Sequence, residues 1–125
     1  MLRVLILVFS FFITTSNLYA HHSFSAFDVE TKIARTGVIT CYDFIQPHIL
    51  MAIEVTLDDG SKEIWQIESL VPRGWNSLGL DRDFVKLGDT ATIVGFPSRD
   101  GSTEMMLSAI RTDEGELVAR DVIRQ

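Results

Sequence analysis

The sequence predicts an all-β domain, a small OB-like closed barrel of five to six strands, and two observations carry that expectation. Segments rich in β-branched and aromatic residues, several of them alternating apolar and polar, recur from residue 36 onward with turn residues between them. One helical interruption, Leu70 to Leu80 (LVPRGWNSLGL), carries Pro72, Gly74 and Gly79 and falls between the third and fourth strands. That is the element order of an OB barrel. A β-sandwich of similar strand number is the alternative, because counting strands does not fix closure.

The elements follow in order. Thr36 to Ile45 (TGVITCYDFI) reads as the first strand, with Gly37 marking a bulge or bend. Gln46-Pro47-His48 interrupts the chain. Ile49 to Leu57 alternates, with Ile49, Met51, Ile53, Val55 and Leu57 on one face and Ala52, Glu54 and Thr56 on the other. Asp58-Asp59-Gly60-Ser61 is a hairpin turn, and Glu63 to Ser69 (EIWQIES) is the return strand. After the helical stretch, Asp81 to Asp89 ends in Leu-Gly-Asp, a turn before the strand Thr90 to Phe96. Pro97 to Gly101 turns the chain into Met105 to Thr112, and Asp113-Glu114-Gly115 turns it into Glu116 to Ile123.

The first 20 residues read differently. A basic start at Arg3, the apolar run Val4 to Ile13 and a polar approach to Ala20 form a secretory signal pattern. Ten apolar residues are too few to span a bilayer as a helix. Cleavage after Ala20 makes residues 1–20 a signal peptide, 21–35 an N-terminal arm anchored by Phe24 and Phe27, and 36–125 one barrel domain. The expected location is the periplasm, with no membrane span in the mature chain.

Charge and cysteine content narrow the function classes. The 125 residues hold 11 basic and 17 acidic side chains, net −6. Loss of Arg3 leaves 10 basic against 17 acidic, or −7. An acidic exported chain is expected not to bind nucleic acid, since phosphate backbones are held by basic surface. The single Cys41 excludes an internal disulfide, and its apolar strand context predicts a buried, inert thiol.

Several residues carry a resemblance. His21-His22-Ser23-Phe24, Gly37 with Pro47-His48, Trp65 with Glu68, Arg73-Gly74-Trp75, Leu87-Gly88-Asp89, Gly95 and Asp100-Gly101 together resemble an exported bacterial family known as domain of unknown function 6152. Gln46 stands where that pattern usually has Asn. The resemblance covers essentially all of the mature chain and implies a signal peptide and a small β-rich domain. It implies no activity and carries over no catalytic residue.

The histidines are the most distinctive chemistry. A mature His21 presents a free α-amine, an imidazole and a neighbouring amide nitrogen, and amine plus Nδ1 closes a chelate ring. A second imidazole from His22 or His48 completes a T-shaped nitrogen set suited to Cu(II) more than to tetrahedral Zn(II). The competing reading is structural: a chance His at the junction, and a His48 ring tied to backbone beside Pro47. Glu54 and Glu68 are candidates for paired carboxylates on one face, with solvated outer charge as the simpler role. Trp65 is expected in the core and Trp75 at a barrel end, the alternative being an aromatic platform for sugars. The clusters Asp58-Asp59-Gly60 and Asp81-Arg82-Asp83 fall short of a calcium loop. No serine or cysteine hydrolase pattern is present. The expected function is therefore a non-enzymatic exported binding or accessory domain. Its sharpest form is Cu(II) binding through His21 with His22 or His48. The alternative is a metal-free module for an unidentified protein or small ligand, and a copper-dependent oxidase is a third class.

Overall fold

The structure, a computed structural model, describes residues 24–44, 49–69, 77 and 81–118. The described residues form six strands: β1 (Ile33–Phe44), β2 (Ile49–Thr56), β3 (Lys62–Ser69), β4 (Thr90–Pro97), β5 (Glu104–Thr112) and β6 (Gly115–Val118). They lie in the order β3-β2-β1-β4-β5-β6, and β3 also pairs with β5. That extra pairing is parallel, Gln66 to Glu104 through Glu68 to Met106, and the Gln66 amide also donates to the Thr103 carbonyl at 2.9 Å. It closes five strands into a barrel and leaves β6 as an added strand on β5. The fold is the expected OB-like barrel rather than a sandwich.

The elements differ from the sequence expectation mainly at their ends. β1 begins at Ile33, three residues early, because Ile33 to Val38 pairs with β4 before the strand passes to β2. The inward Arg35 interrupts the apolar pattern there and hid the strand's start. The last strand is described as Gly115–Val118; the rest of the expected span lies outside the described residues. So do the signal segment, His21, His22, His48, Trp75 and the helical stretch Leu70 to Leu80 apart from Ser77.

The core follows the alternation of β2 and β3. Ile49, Met51, Ile53 and Val55 point inward against Trp65 and Ile67, with Ile39, Ile93 and Ile110 completing the layer. Leu57, expected on the same face, lies past the end of β2 and is 36% exposed. β5 is buried on both sides. Met105 and Leu107 enter the barrel, while Met106 turns outward to Phe96 and Phe27 in a second cluster. Phe27 belongs to the N-terminal arm, which lies over the β4–β5 hairpin. Asp28 N–H donates to the Pro97 carbonyl at 2.8 Å, and Arg99 N–H donates to the Ala26 carbonyl at 2.9 Å.

Two glycines sit where a side chain has no room. A Cβ on Gly37 would overlap the Glu54 carbonyl, and one on Gly95 would lie 2.5 Å from the Met106 carbonyl oxygen. Both mark places where one strand crosses close to the next. Gly37→Ala is expected to destabilise the fold by about 1–3 kcal/mol, an overpacking cost. Urea denaturation should show a lower midpoint at an unchanged slope.

Candidate functional site

The outer surface of β1, β2 and β3 is the first candidate. Register places Val38, Glu54 and Ile64 in one row across the three strands, with Ala52 and Gln66 in the next row and Leu50 and Glu68 beyond. Val38, Leu50 and Ile64 are 40%, 43% and 46% exposed, so three aliphatic side chains on adjacent strands face solvent. Glu54 accepts from the Lys62 ammonium, which occupies its charge. Glu54 and Glu68 do share this face, but they stand two rows apart, roughly 13 Å along the strands. That separation and the Lys62 partner make them surface charge and not an acid–base pair.

Cys41 corrects an expectation. A bulge between Ile39 and Cys41 inserts one residue, so Cys41 pairs with outward Ala52 while Tyr42 pairs with inward Met51. The thiol is therefore half-buried near Asp43 Oδ2 rather than packed in the core. Partial desolvation, and then the Asp43 carboxylate, push its pKa above the ordinary thiol value. The upward shift lowers the thiolate fraction and with it the thiol's reactivity.

The two ends of the barrel differ. At one end the Tyr42 and Phe44 ring centroids lie 6.5 Å apart, both rings packed on the core, and the Tyr42 hydroxyl donates to the Asp81 carbonyl. At the end nearest the β2–β3 turn, Trp65 fills the interior. Its Nε1–H donates to Glu63 Oε2 at 3.1 Å, and the Arg35 guanidinium lies 4.6 Å from its ring centroid. Trp65 is 7% exposed and offers no platform to a sugar ring. Sequence reading missed Arg35; its inward position emerges only from the pairing of β1 with β4.

The aspartate clusters serve turns. Asp59 Oδ1 accepts from both the amide and the hydroxyl of Ser61, and Asp81 Oδ1 accepts from the Asp83 amide. Among the described residues, no three of the His, Cys, Asp and Glu side chains gather as a metal site. The candidate ligands His21, His22 and His48 all lie outside the described residues. Among the described residues, no helix is long and apolar enough to cross a membrane.

With this geometry established, comparison with known proteins places the chain. It is a member of an OB-like barrel class, and residues 11–107 match the family described as "Family of unknown function (DUF6152)". The chain belongs to that family. No curated protein matches it. Among solved structures it is similar to the mitochondrial single-stranded DNA-binding protein of S. cerevisiae in two crystal forms. One form is 13% identical with a TM-score of 0.53, covering 66% of this chain and 92% of the other. The second is 15% identical with a TM-score of 0.51, covering 66% and 93%. At these identities the likeness is one of fold.

These neighbours overturn the expectation of no nucleic acid. Net charge is a sum over the whole chain, whereas single strands are held by the local charge and stacking of one groove. A total of −6 therefore does not exclude such a ligand from a barrel of this kind.

Tyr42 yields a pH dependence. Desolvation, followed by the Asp81 carboxylate, pushes its pKa from near 10 up to about 12. The folded state thus holds this proton more tightly than the unfolded state. The contribution is present in full below pH 10 and is lost as pH rises from 10 towards 12. Chemical denaturation across that window should show stability falling in the native protein and falling less steeply in Tyr42→Phe.

Proposed function

We propose that this chain is an exported, non-enzymatic binding module that takes a protein segment on the outer face of β1, β2 and β3. The observation that carries the reading is the exposure of Val38 and Ile64 in one row on either side of Glu54, with Leu50 two rows away on the same face. Single exposed aliphatic residues are ordinary on a protein surface, while several on one sheet face favour a contact that removes them from water. Gln66, in the row between Ile64 and Glu68, supplies a polar side chain that orients a partner. The signal-like residues 1–20 support export to the periplasm.

A photo-crosslinking residue at Ile64 should form a discrete adduct in cells, and the same residue at Glu114, on the β5–β6 turn, should not. Absence of an adduct at position 64, or equal labelling at both positions, would overturn the reading. Fluorescence anisotropy with a labelled single-stranded oligonucleotide tests the ligand of the structural neighbours. Tight, salt-sensitive binding that is lost in Val38→Ser/Ile64→Ser would make the face a nucleic-acid site instead.

A second reading rests on the donor chemistry of the mature N-terminus, where His21, His22 and His48 would hold Cu(II). Adding one residue ahead of His21 removes the chelate of amine and imidazole. Cu(II) titration should then show at least a tenfold weaker affinity than the native mature chain, about 1.4 kcal/mol. Equal affinity would remove His21 from the site.

A further inference from the structure

We propose that Arg35 and Trp65 form a carboxylate-binding site at the barrel end nearest the β2–β3 turn, separate from the outer face and independent of its reading. Arg35 occupies an inward position of β1, in register with Ile93, which pairs in turn with Ile110. Both isoleucines are fully buried. Arg35 itself keeps partial exposure, as does Glu63 across the end. A guanidinium at such a position is partly stripped of water and ordinarily meets a carboxylate.

Its partners here leave the fork open. The guanidinium carbon lies 4.6 Å from the Trp65 ring centroid, and Nη1–H donates to the Ala34 carbonyl at 2.8 Å. A guanidinium carries five N–H donors, and the Ala34 carbonyl takes one of them. Among the described residues no carboxylate forms an ion pair with Arg35; Glu63, at the same end, accepts from Trp65 Nε1–H instead. A guanidinium fork restrained by contact with a ring can meet a carboxylate through two parallel hydrogen bonds.

Glu63 selects among oxyanions. Its bond to Nε1–H fixes the ring that supports Arg35 and sets a negative charge at the ring's edge. That charge opposes a phosphate dianion more than a monoanionic carboxylate. The site therefore takes a small carboxylate, and one carrying a cationic group towards Glu63 best.

The test uses the mature chain labelled with ¹⁵N, following the indole Nε1–H and Arg35 Nε–H resonances, with Trp75→Phe to assign the two indoles. Titration with sodium acetate at ionic strength held by chloride should move the Trp65 and Arg35 signals together along one saturating curve. Arg35→Lys keeps charge and stem but loses the fork, and should weaken acetate by about tenfold. Glu63→Gln should admit inorganic phosphate, which the native site binds more weakly than acetate. Unsaturable shifts, acetate affinity unchanged in a folded Arg35→Lys, or phosphate binding as tightly as acetate to the native chain would each overturn the proposal.

Discussion

The barrel depends on one strand serving two neighbours. β1 pairs with β4 through its first half and with β2 through its second, and Val38 belongs to both registers. A strand can do this only by turning sharply where it changes partner. Gly37 stands immediately before that point, its missing Cβ giving the Glu54 carbonyl room to approach. The bulge at Thr40 then adds twist to the second half. Without this bend β2 and β4 would extend as one open sheet, and β3 would lie far from β5.

Closure has consequences for every later element. Once β3 reaches β5, one edge of β5 is divided between β3 near Met105 and β6 near Ile110, while the other edge belongs to β4. β5 is thus the most enclosed strand, which accounts for an unbroken buried run from Met105 to Ile110 where alternation would be expected. Its outward Met106 needs cover, and the arm supplies it through Phe27. The arm's attachment is therefore part of the same solution: it shields the apolar surface of Phe96 and Met106 outside the barrel.

Legibility in the sequence follows the same division. β2 and β3 have clean alternation around a strong turn signal, so their faces and partners were readable, including Trp65 inward and Glu68 outward. Gly37 was readable as a bend for the same reason that it is needed. The side taken by Cys41 was not, because a bulge reverses the sides of all later residues and leaves no mark in composition. The early start of β1 was hidden because Arg35 reads as a polar break in an apolar pattern. Pairing between β3 and β5 joins residues far apart in the chain, and no local signal announces it. The chemistry that sequence made most conspicuous, His21, His22 and His48, lies outside the described residues. The partners of Arg35 became visible only in three dimensions.

The inward Arg35 and Glu63 also distinguish the ends of the barrel in energetic terms. The Tyr42 end is closed by aromatic rings and a hydroxyl that finds the Asp81 carbonyl, so its polar atom is satisfied within the fold. The opposite end has apolar packing from Trp65 and Val55, yet two ionisable groups stand at positions where aliphatic residues would bury more surface. Replacing charged groups by well-packed apolar ones at such places is often neutral or stabilising, so stability alone gives no reason to keep them. Glu63 is explained in part by the Trp65 indole, which would otherwise bury an unpaired N–H. Arg35 has the ring beneath it and a backbone carbonyl beside it, which account for its stem and one donor but not for a charge. A charge held where packing does not require it is accounted for by a counter-charge, and among the described residues Glu63 is engaged on the indole and forms no ion pair with Arg35.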